Sequence, residues 1–513
     1  LDAALSRLQS VTDNSGATAY SATYSYLANS PLVSQIVFKQ STTTRMTTTK
    51  QYDYLNRLLS VSSTPSPVSF GYACNSANQR IRSTLADGSY WLYQYDSLGQ
   101  VIAGNKYWAD GTPVAGQQFE YAHDDIGNRT STKAGGDQNG ANLRSASYLA
   151  NNLNQYTNRT VPGAVDVMGV SFATNTVTVN SQTAYRKVEY FRKEVSVNNS
   201  SSPVWQSVTN AATGQSSITG NAFVAKTPEL FYYDADGNLT NDGCWRYAWD
   251  AENRLVSLTT NTAVGPRQSI KFEYDWRGRR IRKQVWSNAS WNGTPTNDVK
   301  FVYDGWNLLA ELNATNNVVL RSYVWGSDLS GSLQGAGGVG GLLAVFDTST
   351  LNSQPSTHFA SFDGNGNLSA LVNASDGTVS AQYEYGPFGE VIRATGPMAK
   401  ANPFRFSTKY QDSETDLLYY GYRYYSPSTG RWNSRDPLGE ESFLEQYSAG
   451  KSESELLRLW RASLEPCYAF VANSPINWLD PVGLATIDPG SRHIKVAKCE
   501  IAILYGHGSM RRH

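Results

Sequence analysis

Short stretches of alternating apolar and polar residues run along most of the chain, and an acidic turn interrupts them at intervals. The repeated unit reads aromatic-Tyr-Asp, two or three residues, Gly or Asn, a polar residue, then an apolar one. Eight units place an Asp at the turn, at Asp53, Asp96, Asp125, Asp234, Asp250, Asp275, Asp304 and Asp363, and a ninth, YEYGPFGEVI, has Gly389 at its glycine position. The period of two predicts a strand, the Asp and Gly predict a tight turn, and the next apolar residues predict the returning strand.

Between units that follow each other closely the spacing varies: it is 29 from Asp96 to Asp125, 16 from Asp234 to Asp250, 25 from there to Asp275 and 29 from there to Asp304. This range suits one β-hairpin per unit, joined by connections of different length. A single hairpin cannot bury its own face, so we expect the units to stack into one continuous antiparallel sheet. The repeated Asp, Tyr and Arg residues are therefore predicted to be architectural.

The composition favours β-structure and argues against several partners. The chain has 32 Tyr, 13 Trp and 42 Gly among 513 residues, a mixture that suits pleated strands and turns. With 43 basic and 43 acidic residues it has no net charge, so nothing indicates nucleic acid or an anionic membrane surface. No apolar run reaches the roughly 18 residues of a membrane-spanning helix.

The four cysteines, Cys74, Cys244, Cys467 and Cys499, are far apart and form no Cys-x-x-Cys pair. We therefore expect neither a disulfide framework nor a metal site. No cofactor is expected, because no other motif points to one. The Gly-rich stretch 326–341 is a poor phosphate loop, since no Lys-Ser or Lys-Thr follows it.

Two segments interrupt the repeats. Residues 157–225 are rich in Val, Thr, Ser and Asn and are predicted to form an irregular, strand-rich insertion. Residues 326–341 are predicted to form a flexible Gly-rich connection that leads into one strand.

After residue 400 the pattern changes to NPFRFSTKYQ, LLYYGYRYY and SPSTGRW, and the tetrapeptide pattern Asp-Pro-x-Gly then occurs twice. The first copy begins at Asp436 and the second at Asp480, where it continues into Leu484. Taken alone, each copy is a good turn sequence.

Together these features resemble the RHS (rearrangement hot spot) or YD-repeat family, which includes Tc toxin C components and bacterial polymorphic toxins. The repeats from about residue 50 to 395 carry the resemblance, and YGYRYYSPSTGRW marks the RHS repeat-associated core. The resemblance implies an all-β fold in which a long antiparallel β-sheet of YD-repeat hairpins spirals into a hollow shell, here a partial cocoon. The implied domains are a shell at 1–400, a core at 401–484 and a variable tail at 485–513.

In toxin members of this family, the core resembles an aspartyl protease that cuts its own chain once. Carried over by position, the catalytic residues are Asp436, Asp480 and Arg423, and the cleaved bond joins Leu484 to Ala485. The chemistry needs one ionised carboxylate to activate water and one protonated carboxyl to polarise the carbonyl. Whether the chain is an enzyme depends on this site.

Residues 438–466 depart from the family pattern, which has a much shorter bridge between the two Asp-Pro motifs. Within them, SESELLRLWRASLE predicts a small helical insert, capped by Ser452 or Ser454, with Leu456 and Trp460 near one face. We expect an excursion from the β scaffold that leaves the site intact.

The tail, 485–513, has 29 residues and is too short for an ordinary enzyme domain. Cys499 and His507 are candidates for a nucleophile and a base. A buried strand cysteine and an exposed turn histidine fit better, because a strand of eight residues would separate them by more than about 20 Å. We expect the tail to be either a truncated or decayed effector or a short released peptide.

Two functions remain open from the sequence. The first is a secreted or surface-bound bacterial shell for interbacterial competition, which encloses and releases a C-terminal toxin or peptide. Its partners would be its own C-terminal segment as cargo, an immunity protein, and an export or delivery component. The second is a non-catalytic adhesion protein that binds glycans or neighbouring cells. Because the chain begins at Leu1 in mid-pattern, we expect it to be the C-terminal piece of a longer protein.

Overall fold

The computed structural model describes residues 7–14, 16, 18–65, 68–348, 355–439 and 467–484, and these residues form 39 strands. Strands β1 to β13 are Ser10–Asp13, Tyr20–Tyr26, Val33–Gln40, Thr43–Tyr52, Leu58–Thr64, Val68–Cys74, Arg80–Leu85, Tyr90–Tyr95, Val101–Tyr107, Pro113–His123, Arg129–Gly135, Leu143–Ala150 and Tyr156–Arg159. Strands β14 to β21 are Ala164–Val170, Val177–Val179, Gln182–Thr183, Tyr185–Lys187, Tyr190–Ser196, Val204–Ala212, Ile218–Val224 and Glu229–Leu230.

The second half of the described chain is built in the same way. Strands β22 to β35 are Tyr232–Tyr233, Leu239–Asn241, Trp245–Trp249, Leu255–Thr260, Ser269–Tyr274, Arg280–Trp286, Asn297–Asp304, Asn307–Asn313, Val319–Trp325, Leu342–Asp347, Ser356–Phe362, Leu368–Asn373, Val379–Tyr385 and Val391–Thr395. Strands β36 to β39 are Tyr410–Gln411, Leu418–Tyr419, Tyr424–Ser426 and Arg431–Trp432. Short 3-10 turns lie at Phe406–Thr408, Pro437–Gly439 and Val471–Asn473.

Two sheets of 14 strands dominate the fold. The first contains β1 to β13 in sequence order followed by β21, and the second contains β22 to β35 in sequence order. Neighbouring strands in each pair antiparallel, for example β2 with β3 and β26 with β27. The predicted all-β fold, a long antiparallel sheet of stacked hairpins, is confirmed.

The first sheet lies face-on against the second. Phe38 and Met46 of the first sheet share a buried cluster with Leu343 and Phe359 of the second. Further along both sheets, the buried Ser361 hydroxyl donates to that of Ser63 at 2.7 Å. Strands β3 to β5 therefore lie against β31 and β32. Further contacts join Arg80 to Asn365 and Lys106 to Glu384, so the contact between the two sheets continues along both in sequence order.

Most of the predicted repeat turns are closed by their own Asp. In the Asp275 unit, Oδ1 accepts the backbone N–H groups of Arg277 and Arg279, both at 2.9 Å, and Oδ2 accepts Arg279 Nε at 2.8 Å. Gly278 takes the left-handed position with φ 77°. The same pattern recurs at Asp53, Asp96, Asp250 and Asp363. The carboxylate thus satisfies N–H groups that a tight turn would otherwise leave without a partner.

One repeat residue was predicted wrongly. In YAHDDIGNRT the turn carboxylate belongs to Asp124, which accepts the N–H groups of Ile126 at 3.1 Å and Asn128 at 2.7 Å, whereas Asp125 is exposed. The acceptor must precede the left-handed residue by three positions, and here that residue is Gly127, with φ 80°. Asp124 meets this spacing and Asp125 does not.

Other turns depart from the predicted repeat. Asp304 pairs directly with Asn307 across a two-residue turn, in which Gly305 has φ 53°. Two further turns use Asn75 and Asn151, whose side-chain oxygens each accept the backbone N–H groups two and four residues ahead. A search for Asp misses them, although an amide oxygen accepts the same hydrogen bonds.

The segment between β13 and β21 forms two small sheets, whose strands all come from this segment. One contains β14, β18 and β17, and the other contains β16, β15, β19 and β20. Val167, Val177, Val179 and Phe191 belong to a separate hydrophobic cluster inside this segment. Because β13 pairs with β21, the first large sheet continues on either side of the insertion. The predicted helical insert and the tail with Cys499 and His507 lie outside the described residues.

The small sheet of β36 to β39 is anchored to the second large sheet by a buried ion cluster. Arg280 of β27 is fully buried, and its Nη1 donates to Asp412 Oδ2 at 2.6 Å. Lys283 Nζ donates to Asp412 Oδ1 at 2.8 Å. The Arg280 guanidinium carbon lies within 5.1 Å of the ring centres of Phe272, Phe301, Tyr410 and Tyr419. Asp412 thus ties the small sheet to two cations on one strand.

The repeat turns provide a first test. Because Asp124 closes its turn and Asp125 points into solvent, Asp124→Ala should lower the local free energy of opening by about 1–3 kcal/mol. Asp125→Ala, the adjacent control, should change it by less than about 0.5 kcal/mol. Hydrogen exchange at the amides of Ile126 and Asn128 measures both. Equal effects of the two substitutions would contradict the assignment.

The ion cluster provides a second test. Asp412→Asn leaves Arg280 buried without its carboxylate and leaves Lys283 paired with Glu414 alone, which should destabilise the β36–β39 sheet by about 3–5 kcal/mol. The control is Glu273→Gln, which removes a half-exposed partner of Arg282 at 3.3 Å and should cost no more than about 1 kcal/mol. Hydrogen exchange at amides of β36 and β37 reports the difference, and unchanged exchange in Asp412→Asn would rule out the anchor.

Candidate functional site

The three residues predicted to carry the chemistry lie together. Arg423 Nη2 is 2.7 Å from Asp436 Oδ2 and 3.4 Å from Asp480 Oδ2. The side chains of Arg423, Asp436 and Asp480 are 4%, 13% and 3% exposed. One guanidinium therefore contacts two nearly buried carboxylates that are far apart in the sequence. Their catalytic role stays a prediction.

Arg423 is held in place by contacts on several sides. It lies immediately before β38, and its guanidinium carbon is 4.1 Å from the ring centre of Trp432, the last residue of β39. Its Nε donates to the carbonyl oxygen of Gly483 at 2.5 Å, and its Nη1 donates to that of Cys467 at 3.4 Å. Packing on the face of the Trp432 ring and hydrogen bonds from several of its own nitrogens fix the orientation of the Arg423 guanidinium.

Asp480 organises the residues that follow it. Its Oδ1 accepts the backbone N–H groups of Val482 at 3.1 Å, Gly483 at 2.7 Å and Leu484 at 3.1 Å. Gly483 has φ +85°, and a Cβ on it would lie 3.0 Å from the backbone nitrogen of Arg423. The motif Asp-Pro-x-Gly-Leu is therefore a tight, glycine-dependent turn that buries Leu484 to 1% exposure. Ala485, the predicted residue after the cut, lies outside the described residues.

Asp436 retains its proton more readily than a free Asp side chain. Its pKa is raised to about 6, mainly by burial, with a smaller contribution from the nearby Asp480 and with Arg423 opposing the increase. Its Oδ1 accepts the N–H of Leu438 at 2.9 Å. A carboxyl of this kind is half-protonated near pH 6 and keeps a fraction of its acid form at neutral pH, as an acid catalyst requires.

Lys409 is a site residue that the sequence analysis did not find. It is 6% exposed, and its Nζ donates to the carbonyl oxygens of Pro481 and of Gly337, the latter at 2.9 Å. Burial lowers the pKa of Lys409 to about 8, while Asp480 and Asp328 oppose the decrease. Lys409 lies outside both Asp-Pro motifs, and no local pattern marks it.

The Gly-rich segment 326–341 folds against the Asp480 turn. Asp328 is 5% exposed, and its Oδ2 accepts the N–H groups of Ala336 at 2.7 Å and Gly338 at 3.2 Å. Ala336 and Val339 share a buried cluster with Leu479, next to Asp480. This segment thus forms one wall of the candidate site, a role that its composition did not predict.

Turns from both large sheets hold the segment 467–484. Asn473 Nδ2 donates to Gln100 Oε1 at 2.9 Å and to the carbonyl oxygen of Gly127 at 2.8 Å, and the Tyr468 hydroxyl donates to the carbonyl oxygen of Gly237 at 2.7 Å. Asn365 Nδ2 from a turn of the second sheet donates to the carbonyl oxygen of Pro475 at 2.8 Å. The site therefore lies where the repeat turns of the two sheets meet the core.

Within the described ranges, no group of three or more His, Cys, Asp or Glu side chains is arranged to hold a metal ion. In the same part of the chain, no helix is long and apolar enough to cross a membrane.

Fold and repeats together define a YD-repeat β-sheet protein whose C-terminal core docks on its turns. The chain is 32% identical over 220 residues to the tRNA3(Ser)-specific nuclease WapA of Bacillus spizizenii, a match that covers 42% of this chain and 8% of that protein. It is 25% identical over 441 residues to the toxin protein Tse5 of Pseudomonas aeruginosa, covering 79% of this chain and 28% of that protein. The chain therefore spans only a small part of the length of these relatives.

Further relatives include the probable deoxyribonuclease RhsA of Dickeya dadantii, matched over 241 residues, and the toxin subunit YenC2 of Yersinia entomophaga, matched over 123 residues. These sequences confirm the resemblance to the RHS/YD-repeat family, and the chain is a relative of Rhs and Tc-toxin-type proteins. No family model matches the chain. Among solved structures, the TcdB2-TccC3-Cdc42 complex aligns with 91% of this chain and 22% of that one, at 16% identity and a TM-score of 0.39.

Proposed function

We propose that this chain is part of a bacterial toxin shell whose core cuts its own backbone once, after Leu484, and so releases the segment that follows. The observation that carries the proposal is the double contact of Arg423 with Asp436 and Asp480. Asp480 also binds the amide of Leu484, so the proposed cleavage segment lies beside the carboxyl pair.

The two carboxyls would divide the chemistry between them. Asp480 accepts three backbone N–H groups and faces Arg423, an environment that suits a carboxylate, so it would act as the base. Asp436, with its pKa raised to about 6, would be the acid. Two buried like charges so close together repel, which favours one proton on the pair.

The proposed reaction is hydrolysis of the Leu484–Ala485 peptide bond. Asp480 takes a proton from water, and the water oxygen bonds to the carbonyl carbon of Leu484 while Asp436 gives its proton to the carbonyl oxygen. The C–N bond then breaks as Asp480 gives the proton it took from water to the nitrogen of Ala485, and one hydroxyl of the intermediate returns a proton to Asp436. The products are a Leu484 carboxylate and an Ala485 amine. Because the substrate is part of the same chain, positioning makes a large contribution to the rate.

The wider biological role is also a proposal. The names of several relatives identify toxins, which favours a C-terminal cargo over a purely adhesive role. The proposed partners are the chain's own C-terminal segment, an immunity protein and a delivery component, and the proposed location is outside the producing bacterium or on its surface.

The first test of self-cleavage is to measure the intact mass of the purified chain by mass spectrometry. We expect a fragment ending at Leu484 and a peptide beginning at Ala485. Asp436→Asn and Asp480→Asn should each slow cleavage by about 100- to 10,000-fold, since each removes a proton-transfer group.

Asp236→Asn, which changes an exposed carboxylate, is the matched control and should cleave like the unmodified chain. A folded, unmodified chain that stays intact would contradict the proposal. Binding of that intact chain to a glycan panel would then support the adhesion alternative.

The second test is the pH dependence of cleavage. Asp436 must be protonated to act as the acid, so the rate constant should fall as pH rises through about 6. At about pH 8 it should be roughly 100-fold below its acidic plateau. Chain made by cell-free synthesis, diluted into buffers from about pH 4.5 to about pH 8.5, allows the rate to be followed by gel.

Arg423 lowers the pKa of Asp436, so Arg423→Met should raise that pKa. The fall in the cleavage rate constant should then occur at higher pH, and cleavage should be slower at every pH. A rate constant that rises between about pH 5 and about pH 8 would exclude Asp436 as the acid.

A further inference from the structure

We propose that Lys409 and the loop 328–341 form a clamp that positions the cleavage segment, with Lys409 as a positioning residue that fixes the backbone of Pro481. The inference rests on the proposed self-cleavage and adds to it the elements that place the bond. The clamp lies where three parts of the chain meet: the loop 328–341, Lys409 and the segment 480–484.

Lys409 joins two segments that are distant in sequence. Its buried ammonium donates to the Gly337 carbonyl at 2.9 Å and to the Pro481 carbonyl, and it lies 5.3 Å from the ring centre of Tyr420. A buried ammonium is costly unless its protons are satisfied. Here two carbonyls accept two of its three protons, so the cation bridges the two backbones.

The loop is shaped to allow this approach. Gly337 has φ +60°, and a Cβ on it would lie 1.9 Å from the carbonyl oxygen of Pro481, an impossible distance between atoms that are not bonded. The obstructing atom belongs to backbone, so rotation of a side chain would not relieve the contact. Position 337 therefore requires glycine as long as Pro481 occupies its present place.

Asp328 gives the loop a fixed form. Its Oδ2 accepts the N–H groups of Ala336 and Gly338, the residues on either side of Gly337. Its Oδ1 accepts the N–H of Ser330 at 2.9 Å. These bonds hold the peptide of Gly337 so that its carbonyl faces Lys409.

On the opposite side, other core residues bind successive carbonyl groups of the segment 481–483. Three successive carbonyl oxygens each accept a hydrogen bond from the core: Pro481 from Lys409 Nζ, Val482 from the Tyr422 N–H at 3.0 Å, and Gly483 from Arg423 Nε at 2.5 Å. The next carbonyl is that of Leu484, the one the proposed reaction attacks. Lys409 is the first of three anchors, so its loss should let the segment shift relative to the carboxyl pair.

The clamp is tested first without cleavage, in the Asp436→Asn background, where the chain stays whole. Lys409→Met should raise hydrogen exchange at the amides of Val482, Gly483 and Leu484 by about tenfold or more, with β32 to β34 unaffected. Lys400→Met, which changes a nearby exposed lysine, is the control and should leave exchange unchanged. Unchanged exchange in Lys409→Met would overturn the clamp.

The second readout is the cleavage rate of chains that retain Asp436. Lys409→Met should slow cleavage by about 10- to 100-fold, and Lys409→Arg, which keeps a cationic donor, should recover part of the loss. Gly337→Ala should slow cleavage similarly, and it replaces Lys409→Met in both assays if that variant does not fold. Full-rate cleavage in both Lys409→Met and Gly337→Ala would overturn the clamp.

The two proposals fail differently. If the unmodified chain stays intact but Lys409→Met still speeds local hydrogen exchange, the self-cleavage proposal is ruled out and the clamp proposal stands. If the chain is cut after Leu484 but Lys409→Met does not change hydrogen exchange, the clamp proposal is ruled out and the self-cleavage proposal stands.

Discussion

The structure depends on one local interaction, in which an Asp carboxylate accepts the backbone N–H groups two and four residues ahead of it. At Asp275 this interaction closes a hairpin, and equivalent bonds close the neighbouring hairpins of both sheets. Asp480 uses a tighter version, which adds the N–H three residues ahead. The turn that builds the sheets and the turn that presents the candidate cleavage segment are thus close variants. Arg423 and a second carboxyl, Asp436, distinguish the latter.

The features that the sequence predicted are those encoded locally. Alternation gave the strands, and the spacing of three between an Asp and its left-handed residue gave the turns, a rule that also corrects Asp125 to Asp124. The family motif predicted that Arg423, Asp436 and Asp480 form one site. The Asp-Pro-x-Gly motif at Asp480 is also the turn that its sequence predicts, so the same residues form both the turn and the site. What could not be predicted depends on distant contacts, such as Lys409 with Pro481 or Arg280 with Asp412. No local period records which strand of one sheet faces which turn of another.

The long bridge between the two Asp-Pro motifs is the main departure of this chain from the family pattern. Arg423 Nη2 reaches both carboxylates, so the bridge does not separate them in space. The segment 467–484 is held instead by side chains and carbonyls of the repeat turns, including Gln100 and Gly237. Contacts with the sheets therefore fix the position of this segment.

That dependence has a chemical consequence. In an unfolded chain both carboxyls are in water and have ordinary acidity, so neither is suited to act as an acid near neutral pH. The raised pKa of Asp436 arises mainly from burial, and burial exists only once the core is docked on the turns of both sheets. The same docking positions Leu484 through Asp480. The proposed cut is thus coupled to completion of the fold, because the acid and the placement of the bond arise from the same packing step.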